Sequence, residues 1–238
     1  MDSHEGTYTK KFSARVEATF PGIIELDQTA FYHLGGGQPA DYGVLNWDGG
    51  KAYVNDVRKK NRIRHFIDGD SPEVGVQVEG EIDWTRRYSH MRMHTSQHLV
   101  SAVVNELYNS DTVGNQIGAE NSRIDFKPLS ISQSEIEHIQ EIVNDYVSKD
   151  LKVNISEELR SNLENNKDIR SSMSSGLWKT LPANVKKLRV ISIGDIDVCP
   201  CAGTHVRSLK EIGEVEFIKK KNKGSQKTRL TYKLNNFS

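Results

Sequence analysis

This sequence of 238 residues is poor in cysteine and proline, with two and six residues respectively, and it has no long apolar run. Cys199 and Cys201 are too close in the chain for an ordinary structural disulfide, and no other cysteine can pair with them. We therefore expect a reducing, cytoplasmic environment. Residues 1–11 lack the apolar segment of a signal peptide. No segment approaches the roughly 20 apolar residues of a membrane-spanning helix, so no membrane partner is expected.

An excess of either charge is also missing, because 32 basic residues balance 32 acidic residues. A neutral chain has no overall attraction to nucleic acid or to a membrane surface, so any polyanion has to meet a local patch. The length and the 36% hydrophobic content are sufficient for one large or two modest globular domains.

Residues 1–85 show the alternation and the turn residues of short β-strands. Asp48-Gly49-Gly50 predicts a hairpin turn, and the surrounding pattern favours a small, strongly curved sheet or barrel. Gly35-Gly36-Gly37 before Gln38-Pro39 predicts either a tight loop at a barrel corner, which is the preferred interpretation, or a close approach of another chain or a ligand. It is not a phosphate-binding P-loop, because no Lys-Ser or Lys-Thr follows at the required offset. Further strands are predicted at 12–18, 22–26, 44–47, 52–54, 62–67 and 74–82.

After residue 85 the apolar period becomes helical. A helix is predicted from about 89 to 109, and a second from about 134 to 150 behind a capping box of Ser134 and Glu137. Residues 113–126 indicate a turn and a strand, and residues 156–172 a weakly helical segment. Further strands are predicted at 153–155, 188–193, 213–219 and 228–234. We therefore predict an α+β protein, with a barrel-like, glycine-rich domain at 1–85 and an α+β domain with antiparallel sheet and helices at 86–238.

Two pairs of side chains share the spacing of metal ligands. His94 and His98 lie four residues apart on the first predicted helix, so both rings can face one ion. Cys201 and His205 repeat this spacing about a hundred residues later. Three imidazoles and a thiolate are ligands that zinc prefers, and distant pairs are typical of a functional site on a preformed scaffold. We predict that the two pairs meet around one metal ion.

Several residues near these pairs allow more than one interpretation. His90 is expected to be a surface residue at the helix start rather than a ligand, and Cys199 is a weak alternative ligand. Four protein ligands would close a tetrahedral site, whereas hydrolytic zinc keeps a position open. Either one ligand, His205 for example, is loosely held, or the coordination expands when substrate arrives. The backbone amides of Gly203-Thr204 either face an oxyanion or only form a turn.

One dense basic segment stands out near the C-terminal end of the sequence. It is either a solvated hairpin or a surface that contacts phosphates without base readout. Trp84 and Tyr88 are candidates for stacking on bases, but core packing is the preferred interpretation. The basic residues are Lys219, Lys220, Lys221, Lys223, Lys227 and Arg229.

Taken together, four motifs resemble the editing domain of alanyl-tRNA synthetase and its free-standing AlaX-type relatives. The first runs from Leu26-Asp27-Gln28-Thr29-Ala30-Phe31-Tyr32 to Gly36-Gly37-Gln38-Pro39-Ala40-Asp41-Tyr42-Gly43. The others are Arg92-Met93-His94-Thr95-Ser96-Gln97-His98-Leu99, Cys201-Ala202-Gly203-Thr204-His205-Val206 and Asn222-Lys223-Gly224. One departure is Ala202, where the family usually has glycine. The chain lacks the other domains of the synthetase, so it resembles a free-standing editor of the longer kind.

The resemblance implies hydrolysis of the ester that joins a wrong amino acid, chiefly serine and sometimes glycine, to tRNA(Ala). It also implies one Zn²⁺ per chain at His94, His98, Cys201 and His205. Thr29 would read the serine hydroxyl, Gln116 would hold the substrate amine or carbonyl, and the basic segment would contact the aminoacylated tRNA(Ala). The metal would either position the ester or activate water. The sequence leaves open whether the protein is a monomer or a dimer.

Two other functions are compatible with the sequence. The first is a non-catalytic, zinc-stabilised RNA-binding module, in which the metal would serve only the fold. The second is a zinc hydrolase of another ester or amide substrate.

Overall fold

The structure is a computed structural model that describes residues 3–165, 184–224 and 226–236. Within these residues it contains helices and antiparallel sheets, and the predicted α+β class is confirmed. The N-terminal elements are α1 (His4–Tyr8), β1 (Lys11–Phe20), β2 (Ile23–Leu26), β3 (Gly43–Trp47), β4 (Gly50–Lys59), β5 (Ile63–Gly69) and β6 (Gln77–Ile82). They are followed by α2 (Trp84–Tyr108), β7 (Asp111–Gln116), β8 (Asn121–Lys127), α3 (Gln133–Ser148), β9 (Val153–Leu159), α4 (Arg160–Asn165), β10 (Lys187–Ile193), β11 (Asp197–Pro200), a 3₁₀ helix (Leu209–Ile212), β12 (Glu214–Asn222) and β13 (Thr228–Asn235).

The first six strands form a closed barrel in the order β1-β2-β5-β4-β3-β6, with β6 paired to β1. The hairpin predicted at Asp48-Gly49-Gly50 joins β3 to β4. The barrel has its own apolar core, to which Leu45 and Val57 contribute fully buried side chains. Closure leaves no unpaired strand edge in this part of the chain.

The central helix α2 is longer than predicted, because it begins at Trp84 rather than near residue 89. The Asp83 side chain accepts a hydrogen bond from the Arg86 amide and so caps the helix. Every residue from Met93 to Val104 is buried, on all sides of the helix. Polar side chains in this stretch must therefore find partners within the protein, and they do so at the site described below.

Two antiparallel sheets accompany α2. One has the strand order β12-β13-β8-β7 and the other the order β11-β10-β9. Residues 113–126, predicted as one turn and one strand, instead contribute to both β7 and β8. Of the segment predicted as weakly helical, 156–159 belong to β9 and 160–165 to α4, while 166–172 lie outside the described residues.

The predicted cap of α3 is wrong by two residues, because Ser132 and Glu135 form the capping box. Ser134 and Glu137 have the same spacing, but only the earlier box places apolar residues, Ile131 and Ile136, at the two positions of a hydrophobic staple. Both of these isoleucines are buried in the main core. The staple therefore explains the choice between the two boxes.

A buried ion pair connects the glycine-rich segment to α2. The Arg87 guanidinium bonds the Asp41 carboxylate, and both side chains are fully buried. Arg87 also donates hydrogen bonds of 2.7 Å to the carbonyls of Ala30 and Thr7. A buried pair with all these partners fixes the loop between β2 and β3 against the helix. The predicted boundary between residues 85 and 86 falls in the first turn of α2, and the division into two domains stays a prediction.

Among the described residues, no helix is both long enough and apolar enough to cross a membrane.

Candidate metal centre

The structure brings together the two pairs of residues that the sequence singles out. His94 and His98 lie one turn apart on α2, and Cys201 and His205 follow β11. One ligand atom from each of the four residues lies within 4.8 Å of the other three. The three histidines are buried, and Cys201 is the one partly exposed member of the group. These residues can hold a metal ion, with Cys201 on the more accessible side.

In each of the three histidines, the Nδ1 atom lies within hydrogen-bonding distance of another side chain. Nδ1 of His94 lies 2.8 Å from Oε1 of Gln38, and Nδ1 of His98 lies 2.8 Å from the Asp197 carboxylate. Nδ1 of His205 lies 3.1 Å from the hydroxyl of Thr95. We infer that Nδ1 carries the proton in each ring, which leaves Nε2 for the metal.

The orientation of Gln38 supports this assignment. Its Oε1 atom also accepts from the Thr204 amide at 3.1 Å, and its Nε2 atom donates to the Thr204 hydroxyl at 2.8 Å. An oxygen is therefore the atom that faces Nδ1 of His94. A side chain of the glycine-rich segment thus orients one of the metal-site imidazoles.

The electrostatics of the cluster favour a bound cation. Burial raises the pKa of the Cys201 thiol, but the charges of His94 and His205 outweigh it and hold this pKa well below its usual value. Burial lowers the pKa of His98, but hydrogen bonds to Asp197 and Cys201 outweigh it and raise this pKa to about 10. The Cys201 thiolate and the Asp197 carboxylate are the two anionic groups beside these imidazoles, and a bound cation stabilises both.

The turn between Cys201 and His205 fits closely around His94. A Cβ atom on Gly203 would lie 2.1 Å from Cε1 of the His94 ring, so only glycine fits at this position. The Gly203 amide donates to Sγ of Cys201 at 3.3 Å, and the Thr204 amide donates to Gln38. Both amides are therefore engaged within the protein, which favours the turn-forming interpretation over an oxyanion site.

His205 is not loosely held. It is fully buried, and the Thr95 hydroxyl supports its Nδ1 atom. The alternative raised from the sequence, in which His205 leaves the metal, therefore has no support in this geometry.

The glycine-rich segment forms a tight turn that packs against β7. Gly35 and Gln38 exchange two backbone hydrogen bonds, and Gly36 and Gly37 between them have φ angles of 57° and 81°. A Cβ atom on Gly37 would lie 2.3 Å from the Asn115 side chain. The Ile117 amide donates to the Gly37 carbonyl at 2.9 Å. The turn thus reaches from the barrel to the strand beside the metal centre, beyond the barrel corner at which the sequence placed it.

Thr29 lies after β2, with its hydroxyl fixed by the barrel. Its Oγ1 atom lies 2.9 Å from Nε2 of His65 and accepts from the Phe31 amide at 3.1 Å. His65 is fully buried, and Nδ1 of its ring lies 3.4 Å from the Ile24 carbonyl. Burial lowers the pKa of His65 to about 4, so the ring is neutral. A proton on Nδ1 faces the carbonyl, and Nε2 then accepts the proton of the Thr29 hydroxyl.

Gln116 and the basic segment lie at the outer face of the four-stranded sheet. Gln116 lines a cleft of about 410 Å³ together with Arg123, Lys219, Lys221, Lys223 and Arg229. Arg123 has no counterpart among the residues that the sequence suggested. The neighbours of Gln116 on β7 face inward, since Nδ2 of Asn115 lies 3.3 Å from Oε1 of Gln97 on α2.

Three basic residues of the segment 219–229 have partners within the protein, and one of them, Arg229, also lines the cleft. Lys220 donates to the Ile131 carbonyl. Lys227 and Arg229 both bind the Asp125 carboxylate, at 3.0 Å and 2.5 Å. Consecutive lysines of β12 thus have different surroundings, as expected for a strand.

Three minor predictions have mixed outcomes. His90 is 1% exposed rather than a surface residue, and it lies in the interior of α2 because the helix begins earlier than expected. Cys199 lies on β11 and does not belong to the four-residue cluster. Trp84 and Tyr88 stack on each other and pack against the main core, which confirms their preferred interpretation.

Sequence reasoning missed the three partners of the imidazoles. Thr95 lies inside the first histidine motif and Gln38 inside the glycine-rich motif, but the sequence alone assigned no function to either residue. Asp197 precedes Cys201 by four residues, and its acidic side chain directly before a ligand motif was the available signal.

Comparisons with known proteins point to tRNA synthetases and to alanyl-tRNA editing proteins. Residues 188–231 match the family described as threonyl and alanyl tRNA synthetase second additional domain, and residues 5–86 match class II (A) tRNA synthetases. The chain is 36% identical over 235 residues to the alanyl-tRNA editing protein AlaX-M of Methanosarcina barkeri, which covers 95% of each chain. It is 35% identical over 199 residues to AlaX-L of Pyrococcus horikoshii, covering 82% of this chain and 47% of the relative. An alanine–tRNA ligase of Pyrobaculum neutrophilum is 36% identical over 225 residues, which are 91% of this chain and 25% of the ligase.

Proposed function

This chain belongs to the family of alanyl-tRNA editing proteins, and from this premise we propose that it hydrolyses the ester bond of mischarged tRNA(Ala). The observation that carries the proposal is the cluster of His94, His98, Cys201 and His205, supported by Gln38 of the glycine-rich turn. The favoured substrate is tRNA(Ala) charged with serine, with the glycine-charged form as a further substrate. A protein that acts on aminoacylated tRNA is expected in the cytoplasm.

We take the metal to be zinc, one ion per chain, because the donor types and two of the sulfur–nitrogen distances fit it. A tetrahedral zinc with a thiolate at about 2.3 Å and an imidazole nitrogen at about 2.05 Å places sulfur and nitrogen about 3.6 Å apart. Sγ of Cys201 lies 3.5 Å from Nε2 of His94 and 3.4 Å from Nε2 of His205. When bound, zinc supplies a Lewis acid that either positions the ester or lowers the pKa of water.

The protein itself supplies binding and orientation. Gln38, Asp197 and Thr95 hold the three imidazoles through Nδ1, which leaves their Nε2 atoms for the metal and limits reorganisation when the substrate arrives. The ester of an aminoacyl-tRNA is already reactive, and accurate positioning can supply much of the acceleration. The substrate approaches on the side of Cys201, the exposed member of the cluster. The family resemblance proposes Gln116 for holding the amine or the carbonyl of the aminoacyl group, and its side chain lines the cleft on the outer face of the sheet.

Thr29 reads the serine hydroxyl as a hydrogen-bond acceptor. Its own proton goes to His65 and one of its lone pairs accepts from the Phe31 amide, so one lone pair is available to a donor. The hydroxyl of serine can donate to it, whereas alanine and glycine leave it unpaired. Once a bound aminoacyl group covers Thr29, leaving its acceptor unpaired costs free energy, and this difference is the basis of discrimination.

Thr29→Val tests this role. The substitution keeps the shape of the side chain and removes the acceptor, so kcat/KM for serine-charged tRNA(Ala) is expected to fall about tenfold, the worth of one hydrogen bond. The glycine-charged tRNA(Ala), which offers no hydroxyl, is the internal control and should change less than about twofold. An equal loss on both substrates would assign Thr29 to the fold of the barrel and remove it from recognition.

The proposed function as a whole is tested by deacylation of tRNA(Ala) charged with serine, glycine or alanine. We expect rapid release of serine and slow release of alanine. If the protein leaves serine-charged tRNA(Ala) intact, the proposal fails. If it hydrolyses small seryl esters as well as it hydrolyses the charged tRNA, a hydrolase with another substrate is the better assignment.

The tRNA needs a contact surface on a chain without net charge, and we propose the basic hairpin of β12 and β13 for this contact. The segment from 219 to 229 carries six basic residues among eleven and no acidic residue. Backbone contacts of this kind position a nucleic acid without reading its bases.

A further inference from the structure

The four-stranded sheet β12-β13-β8-β7 has two faces of opposite character. Its inner face packs on α2 and α3 with buried side chains such as Ile124, Leu230 and Tyr232. The strand register places the alternate residues on the outer face. Lys219 is opposite Thr231, Lys221 is opposite Arg229, and Arg123 is opposite both Thr231 and Gln116. One side of this sheet therefore collects positive charge from β8 and β12, together with Arg229 of β13.

The cleft on this outer face is cationic. Five of its nine lining residues are lysine or arginine, and none is acidic. Asp125 neutralises Arg229 from the same face, so the excess charge comes from Arg123, Lys219, Lys221 and Lys223. Their mutual repulsion is visible at Lys223, where the charges of Lys221 and Arg229 lower the pKa of the ammonium. Binding of an anion with several charges would reduce the electrostatic repulsion among these side chains.

The strand that borders the cleft also contacts segments around the metal centre. Gln116 lines the cleft, and its two neighbours contact segments next to the metal ligands. Asn115 bonds Gln97 of α2, and Ile117 bonds the glycine-rich turn. The Ile117 amide bonds the Gly37 carbonyl, and Gln38, the next residue along the chain, bonds His94. The cleft and the segment that orients His94 are therefore connected through Gln116 and Ile117, two consecutive residues of the chain.

We propose that this cleft, lined by Arg123, Lys219, Lys221 and Lys223, is the track for the phosphodiester backbone of the tRNA strand that carries the amino acid. The inference rests on the proposed function, and it assigns the contact to one face of the sheet rather than to the whole basic segment. Lys220 and Lys227 lie outside the track, because they bond the Ile131 carbonyl and the Asp125 carboxylate. Arg229 lines the cleft with its charge already neutralised by Asp125.

The test compares two neighbouring lysines of β12, Lys220 and Lys221, whose side chains lie on opposite faces of the sheet. The double variant Arg123→Gln, Lys221→Gln removes two track charges, and Lys220→Gln is the matched control one residue away on β12. Binding of uncharged tRNA(Ala) is measured by fluorescence anisotropy over a series of KCl concentrations. The melting temperature of each variant confirms that it is folded.

We expect the double variant to raise Kd about tenfold near 0.1 M salt. We also expect it to reduce the slope of log K against log salt by about 1.4, since each phosphate contact to a single strand contributes about 0.7. Lys220→Gln should stay within about twofold of the parent protein. Equal effects of the two variants, or no change in the salt slope, would overturn the track. Because the readout is binding, it stands apart from the deacylation assay: an inactive protein that binds through the track refutes only the proposed function.

Discussion

Cys201→Ala is expected to lower the rate of deacylation of serine-charged tRNA(Ala) by more than about 100-fold and to remove bound zinc. Loss of a residue that only supports a metal ligand typically costs 10- to 100-fold, and Cys201 is proposed as a ligand itself. It also supplies the one thiolate of the cluster, so only three imidazoles would remain. Deacylation kinetics and zinc content after gel filtration are the two measurements.

Cys199→Ala is the matched control for this experiment. Cys199 precedes Cys201 by two residues on the same segment, but its Sγ atom does not belong to the cluster. We expect this variant to keep both zinc and activity. If Cys199→Ala and Cys201→Ala lose zinc equally, the ligand assignment is wrong.

The same experiment separates an editing metal from a purely structural one. The main hydrophobic core contains many fully buried side chains from α2, α3 and the two sheets, which gives the fold a source of stability apart from any metal. Cys201→Ala and chelation are therefore expected to leave the far-ultraviolet circular dichroism largely intact. Collapse of that signal together with zinc loss would favour the zinc-stabilised RNA-binding module.

Gly203→Ala is expected to weaken zinc binding by about 100-fold or more, although Gly203 contributes no ligand atom. The added Cβ atom would lie 2.1 Å from Cε1 and 2.3 Å from Nδ1 of His94. The His94 ring is 1% exposed and is bonded to Gln38, so it cannot move aside without losing that partner. Either the ring or the turn that carries Cys201 must shift, and the four donors then no longer converge. Competition with a chromophoric zinc chelator measures the change.

Ala202→Gly provides the adjacent comparison. Ala202 is exposed, and glycine at this position restores the residue that the family pattern has there. We expect zinc affinity and deacylation to stay within about threefold of the parent protein. A loss as large as that of Gly203→Ala would mean that flexibility of the turn, rather than the clash with His94, controls the site.

Local sequence patterns were sufficient to predict the structure wherever residues close in the chain are also close in space. The Asp48-Gly49-Gly50 turn predicts the β3–β4 hairpin, and the spacing of His94 and His98 places both rings on one side of a helix. The limits of the elements were less secure, because two capping boxes compete before α3 and a staple between Ile131 and Ile136 selects the earlier one.

By itself, the sequence determined the α+β class, the residue types of a candidate metal site and the presence of a basic hairpin, because each depends on composition or short spacing. Only the tertiary structure decided which side chains support that site. Gln38 and Asp197 reach His94 and His98 across 56 and 99 residues of sequence. The tertiary structure also divided the lysines of β12, since the side on which a strand residue lies depends on its partners in the sheet. Spacing along the chain indicates what a residue can bind, and the packing of distant segments decides what it faces.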